Sequence, residues 1–299
     1  MADAAPSASA LPPEGPAALS EPPAPAELSA PTELSAPAAA ELADCWDRLR
    51  TDSPLVQCLT NIVVAPFTAN LLLAAGAAPA MVDNPHEAAG FTAVASGVLV
   101  NLGTPYDDTV AGMRAAVPAA AAAGTPWVLD PVAVGGLPWR TTTAAELLAL
   151  AAPAVIRGNA SEILALGGGE GGRGVDAAHA PDAALQAAGD LAGRYATTVA
   201  VSGPVDLITD GQRLLRLAHG HPWMTKVTGV GCALGALMAG CCAVSDDAMI
   251  AAGTATAALT LAAETAADSA SGPGSFAVEL LDQLFLLEPA ELADRVDPQ

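Results

Sequence analysis

The sequence predicts an α/β fold, with a mostly parallel central sheet and helices on both of its faces. Two observations predict it. Short apolar runs bounded by Gly and Pro recur from Pro54 to Gly211, and Ala/Leu-rich segments of helical length lie between them. Strands buried on both faces read as near-continuous apolar runs, and a parallel pair needs a long crossover, usually a helix. With 299 residues, 52% of them hydrophobic, the chain is long enough to bury one large core around such a sheet.

Residues 1–40 stand apart from this pattern. They are almost entirely Ala, Pro, Ser, Glu and Leu, with the near-repeat AELSAPTELSAP. Pro at that density, with no aromatic side chain, offers too little apolar area to offset chain entropy. A disordered tail is expected there, followed by one domain over 41–299. The domain opens on ELADCWDRLR, where Leu42, Cys45, Trp46 and Leu49 fall at helical spacing. Strands are expected at PLVQCL, PAMV, GVLVNLG, PWVLDPV, PAVIRGN, TTVAVSG and VDLITDG. Helices are expected at TANLLLAAGA, VAGMRAAVPAAAAAG and TAAELLALAA, which separate several of those strands. The stretch VAVSGPVDLITDG reads as two strands joined by a short turn. Beyond it the chain turns helical, through GCALGALMAGCCAV, DDAMIAAGTATAALTLAAETAADSA and FAVELLDQLFLL.

Charge narrows the function. The chain has 32 acidic and 11 basic residues, a formal net charge of −21. A protein that coats nucleic-acid phosphates needs a basic face, and one held to an anionic membrane surface needs basic clusters. Neither partner is expected. Mean hydropathy is +0.42, but Ala inflates it, and Gly, Thr or acidic residues interrupt the apolar runs before the roughly 20 residues that a membrane span needs. The reading is a soluble protein. Five cysteines, an odd number with no C-x-x-C pair, and four histidines form no zinc spacing. Free thiols and the lack of a signal-peptide pattern point to the cytoplasm. The Gly-rich GGGEGGRGVD at 167–176 lies in mid-chain after a helix, not in a first strand–helix turn. It therefore reads as a surface insertion rather than a dinucleotide fingerprint.

Ligands of open α/β sheets collect at the carboxyl ends of the strands. Here polar residues close the apolar runs: Thr60 and Asn61, Asp83 and Asn84, Asn101, Asp130, Arg157 and Asn159, and Ser202. Each by itself reads equally as a turn or helix cap, and their recurrence is the signal. More specific is KVTGVGCALGALMAG, Lys226 to Gly240, where small residues lead into an apolar helix. Unpaired backbone N–H groups and the helix dipole suit such a start to an anion and to phosphoryl transfer; the plain counterpart is close packing of a Gly-rich helix against the sheet. Lys226, the only lysine in the chain, reads either as a polyphosphate contact or as a surface residue.

The segments VQCLTNIVVAPFTANLLLAAGAAPAMV, LDPVAVG, IRGNASEI, VSGPVDLITDG, MTKVTGVGCALGALMAGCCA and GPGSF resemble, in order and spacing, the hydroxyethylthiazole kinases of the ribokinase-like superfamily. The resemblance runs from Leu55 to Leu287. It implies a ribokinase-like fold and MgATP-dependent phosphorylation of 4-methyl-5-(2-hydroxyethyl)thiazole in thiamine salvage. It also implies a homotrimer with active sites between subunits. Carried over residue by residue, it places Met81, Gly229 and Asn61 against the substrate, and Arg157 and Ser202 against ATP. Asn159 and Glu162 match the N-x-x-E element associated with Mg²⁺ and phosphate, and Cys232 stands where related kinases carry an Asp base. Each role has a plain counterpart. Glu162 is a magnesium ligand, directly or through water, or the capping partner of Asn159. Met81 packs beside the thiazole or in the core. Asn61 positions the substrate or caps a helix, and Asp130 sits near the phosphates or makes a turn. Cys232 is a thiol whose pKa a helix N-terminus can lower, or a small buried hydrophobe.

Rival functions remain at this stage. A hydroxymethylpyrimidine or pyridoxal kinase would carry Asp in place of Cys232. A nicotinamide oxidoreductase would carry its glycines in the first strand–helix turn. A non-catalytic nucleotide-binding homologue would tolerate decay of the TGVGC and NASE elements, which are intact here.

Overall fold

The computed structural model describes residues 37–169 and 180–299. The tail read at 1–40 lies outside the described residues as far as residue 36, as does most of the 167–176 glycine segment. The first helix, α1 (Ala39–Asp52), starts two residues before the expected boundary. Its Leu42, Cys45, Trp46 and Leu49 are all buried, and the Trp46 indole N–H donates to the Leu287 carbonyl at 2.9 Å.

The remaining strands and helices alternate up to the fifth strand, and two helices then precede the sixth. They run β1 (Leu55–Leu59), α2 (Ala65–Ala75), β2 (Ala78–Ala80), α3 (Ala88–Thr92), β3 (Gly97–Asn101), α4 (Asp107–Ala123), β4 (Trp127–Asp130), α5 (Pro138–Leu150), β5 (Val155–Asn159), α6 (Ala160–Leu166), α7 (Ala180–Tyr195) and β6 (Thr198–Ser202). A hairpin partner β7 (Asp206–Thr209) and β8 (Leu214–Leu217) follow. Then come α8 (Val230–Cys242), α9 (Ala248–Ser269), α10 (Pro273–Leu286) and α11 (Pro289–Arg295). The eight strands make one sheet in the order β2-β1-β3-β4-β5-β6-β7-β8. Pairing is parallel from β2 through β6 and antiparallel at β6–β7 and β7–β8. The predicted class is the observed one.

Two apolar layers hold the sheet. One, built on α1, α2 and α8 to α11, includes Trp46, Leu99, Leu237, Met238 and Phe276. The other, on the opposite face, includes Leu59, Val100, Met113, Leu129, Leu147 and Ile163. Strand β3 is buried along its whole length, as a central parallel strand should be. Helix α8 is buried at 11 positions, because a helix apolar on all sides belongs inside a core.

One expectation needs correcting. Helix α9 has 22 residues and is long and apolar enough to cross a membrane, although 78% of its apolar window is buried here. Thr254, Thr256 and Thr260 interrupt the sequence pattern without facing water. Thr256 and Thr260 donate to the carbonyls of Ala252 and Thr256 at 2.8 Å, and Thr254 donates to the Leu42 carbonyl at 3.1 Å. A hydroxyl satisfied in this way can be buried. The PAMV strand is also shorter than expected, with Met81 and Val82 beyond its end.

Candidate active site

Parallel register brings the polar strand ends to one edge of the sheet. Asn101 pairs with Asp130 across β3–β4, and Asn159 with Ser202 across β5–β6. Asn61 follows β1 by two residues, and the amino end of α8 lies over the same edge through Cys232 in its first turn. Gly229 caps α8 with φ +100°. A side chain at Gly229 would be strained there, and its Cβ would lie 2.9 Å from Val64 Cγ1.

These side chains form one continuous hydrogen-bonded row. Asn61 Nδ2 donates to Asn101 Oδ1 at 2.9 Å and to Cys232 Sγ at 3.8 Å. Asn101 Nδ2 donates to Asp130 Oδ2 at 2.7 Å. Arg157 Nη1 lies 3.5 Å from both Asp130 oxygens, and its Nη2 donates to Ser202 Oγ at 3.0 Å. The row thus runs from Asn61 and Cys232 at one end to Arg157 and Ser202 at the other. Two of its surroundings are incomplete. Arg157 Nε and the hydroxyl of Thr60 are buried with no partner, and a buried polar atom without a partner calls for a ligand or water.

The electrostatics follow from burial. Asp130 is fully enclosed, and desolvation pushes its carboxyl up to about 6; Arg157 opposes the rise and nearby Glu162 adds to it. Asp206 is likewise raised to about 6 by burial, against the Gly203 N–H and Arg157. Cys232 corrects a sequence expectation. Its thiol is pushed up rather than down, first by burial and then by the Asp130 charge. Burial is the larger cause and the enclosed carboxylate adds to it, so the thiol is held above its ordinary range rather than activated.

Glu162 performs the capping role in full. Its Oε2 accepts from the Asn159 N–H at 2.9 Å, while Asn159 Oδ1 accepts from the Glu162 N–H at 3.0 Å. Oε1 accepts from the Ala133 N–H at 2.9 Å, which ties the loop after β4 to the start of α6. Each carboxylate oxygen keeps a second lone pair. Among the described residues no group of three His, Cys, Asp or Glu is arranged to hold a metal ion. This donor set fits Mg²⁺ only as it usually accompanies nucleotides, bound mainly by phosphates and water with one or two protein carboxylates.

A cavity of about 680 Å³ opens beside the Arg157 end, lined among others by Arg157, Ser202, Asp206, His219, His221 and Thr260. Its volume is that of a small-ligand site. Gly231 in the first turn of α8 also borders it, so the helix start faces the cavity. Lys226 is exposed at the end of a 3₁₀ turn and does not line it. Met81 is not joined to the row. It lies just beyond the edge strand β2, 38% exposed. Sequence reading missed His219 and His221, which sit on an irregular segment with no motif of their own. Asp206 had a usable signal, because a carboxylate three residues beyond Gly203 in a Gly-Pro turn is placed to accept the turn's N–H, as it does at 3.0 Å.

A sequence profile of the Hydroxyethylthiazole kinase family matches residues 46–290. The chain is 56% identical over 255 residues to a hydroxyethylthiazole kinase of Cutibacterium acnes, covering 85% of this chain and 92% of that one. It is 58% identical over 252 residues to one from Clavibacter sepedonicus, covering 84% and 91%. Among solved structures it is similar to a hydroxyethylthiazole kinase protein from Pyrococcus horikoshii, with TM-score 0.80 and 35% identity over 86% of this chain and 98% of that one. A Bacillus subtilis pyridoxal kinase solved as an ADP complex shares the fold, with TM-score 0.52 and 16% identity over 70% and 91%.

Proposed function

This chain belongs to the hydroxyethylthiazole kinase family, and we propose from that premise how its own residues carry out the reaction. The protein transfers the γ-phosphoryl group of ATP to the primary hydroxyl of 4-methyl-5-(2-hydroxyethyl)thiazole, the salvage step that returns the thiazole to thiamine synthesis. The observation that best supports the assignment of roles is the row from Asn61 and Cys232 to Arg157 and Ser202.

ATP occupies the 680 Å³ cavity, with its phosphates toward Arg157, Ser202 and the open N–H groups of α8. The guanidinium is a planar donor fork, and Asp130 holds it in place. Backbone amides at the start of α8 face the charge that builds on the transferred group. The alcohol binds at the other end of the row, against Asn61, Gly229 and Cys232. Because burial raises the Cys232 thiol, it positions the hydroxyl; the new O–P bond forms as the bond to the β-phosphate oxygen breaks, and the hydroxyl proton passes late to an oxygen of the transferred phosphoryl group. Phosphoryl transfer through a loose transition state tolerates this, since little negative charge is needed on the entering oxygen early in the step. Glu162 would hold Mg²⁺, directly or through water, and the ion would supply charge neutralisation at the phosphates. Met81 completes the thiazole pocket across a subunit boundary in a homotrimer. Exposed Ile62 (71%) and Val63 (58%), directly after Asn61, are the apolar surface that such a boundary would cover. The enzyme works in the cytoplasm, where its five free cysteines stay reduced.

The test is phosphorylation by the purified protein with MgATP, followed by mass spectrometry and ADP release. Phosphorylated thiazole alcohol is expected. Turnover of hydroxymethylpyrimidine or pyridoxal in its place would assign the chain a different acceptor, and a single-chain mass by light scattering would remove the trimer.

A further inference from the structure

Resting on that reading of the alcohol end, we propose that Asn101 is a positioning residue, which locks the Asn61 amide so that its Oδ1 is the acceptor offered to the substrate hydroxyl. The two ends of an amide look alike, but two neighbours of Asn101 have unambiguous roles. The backbone N–H of Gly103 can only donate, and it lies 2.9 Å from one end of the Asn101 amide. That end is therefore the oxygen. The other end faces the Asp130 carboxylate at 2.7 Å and is therefore the NH₂. With the Asn101 oxygen thus placed, the Asn61 atom 2.9 Å from it must be a donor, Nδ2.

The orientation of Asn61 is thereby inherited from the backbone through Asn101. Its two amide hydrogens are both engaged, one by Asn101 Oδ1 and one by Cys232 Sγ at 3.8 Å. Among the described residues no protein donor reaches Asn61 Oδ1, and that oxygen is not sealed from solvent. A free amide oxygen beside a neutral thiol suits an alcohol, which must donate one hydrogen bond while its oxygen stays open for attack. Both asparagines are buried, and Asn101 is completely so. A third residue guards the arrangement. A Cβ on Gly103 would collide with Asn61 Nδ2 and lie 2.9 Å from Asn101 Oδ1, so only glycine leaves the two amides in contact.

The test is a double-mutant cycle with Asn61→Ala, Asn101→Ser and the pair, in the full-length protein. Each single change is expected to lower kcat/KM for the thiazole alcohol by about 10- to 100-fold, with the KM for ATP within about twofold. The double variant should fall no further in kcat/KM for the thiazole alcohol than Asn61→Ala alone, because Asn101 reaches the alcohol end only through Asn61. A second readout does not depend on turnover. Cys232 is the one cysteine that is not buried, so its alkylation by iodoacetamide can be followed directly. Its rate should change by the same factor in both single variants and in the pair. If wild type fails to phosphorylate the thiazole, the functional reading is lost and the alkylation cycle alone decides the proposal. Losses that multiply in the double variant, an ATP KM that rises as far as that for thiazole, or unchanged alkylation in Asn101→Ser would overturn it. Should Asn101→Ser not fold, Gly103→Ala, whose methyl group would press between the Asn61 and Asn101 amides, takes its place with the same expectations.

Discussion

Arg157→Ala tests both halves of the nucleotide end at once, because Arg157 faces a ligand and also offsets a buried charge. Toward the ligand, losing a charge-assisted hydrogen bond costs about 1.5–3 kcal/mol, a rise of about 10- to 150-fold in the KM for ATP. The KM for thiazole should change far less. Toward the protein, Asp130 is fully buried and its carboxyl already stands at about 6 against an ordinary 3.8. Two opposite charges 3.5 Å apart attract by roughly 5 kcal/mol at an effective dielectric constant of about 20. Breaking a buried pair leaves about 3 kcal/mol of net loss where the stranded group stays ionised. The sign with pH is definite. A carboxyl raised in the folded state adds stability at low pH, and that stability is lost as pH climbs from about 4 through about 6. Without Arg157 the carboxyl rises further and the loss extends to higher pH. Wild type and variant should therefore melt within about 4 °C of each other near pH 5 and separate by roughly 6–12 °C at pH 8. The assay is a melting series over that range, alongside steady-state kinetics in both substrates. A gap that stays constant with pH would refute the pairing, and a selective rise in the thiazole KM would move Arg157 to the alcohol pocket.

Cys232→Ala should lower kcat by about 10- to 100-fold and leave the ATP KM nearly unchanged, with Cys232→Asp retaining more activity than the Ala form; equal rates in the two variants would reduce the thiol to packing. Gly229→Ala places a methyl group against Val64 at φ +100°. It should cost about 1–3 kcal/mol, a drop of several degrees in melting temperature, together with lowered thiazole turnover; an unchanged melting point would mean that the loop re-forms freely. Asp206 is raised to about 6 by burial, so its contribution also fades as pH rises from about 4 to 6. Asp206→Asn does not titrate and should gain on wild type across that window, as melting curves at pH 4.5 and 7 would show.

Much of this architecture was legible because parallel strands announce themselves. VLVN and WVLD are apolar to their last residue, and the polar residue that ends each run is the one the sheet brings to the site edge. The seventh strand was legible through its Gly-Pro turn. Strand β8 was not, since LLRL is too short to show a period and has Arg216 within it. Helix α7 was hidden by an Ala-rich composition directly after a glycine segment. The site residues on strand ends were visible singly, but their linkage was not. Nothing near Cys232 in sequence reveals that Asp130 sits close enough to raise its thiol. Nor does NLG at 101–103 reveal that one backbone N–H sets the direction of two side-chain amides. Met81 illustrates the reverse, a residue singled out by motif that stands at the margin of the sheet.

The contact between Asn61 and Cys232 joins residues 171 positions apart, and between them lie every parallel crossover and the closing hairpin. No contiguous fragment short of that length contains both Asn61 and Cys232. The site must therefore form late, after β1, β3, β4, β5 and β6 are in register and α8 has docked. Sheets of such distant pairings assemble slowly. A nucleotide that binds only the finished site would stabilise only the finished sheet. During refolding, ATP should leave the early phases untouched and suppress unfolding of the completed molecule, which makes the substrate itself a reporter of when the last strand is in place.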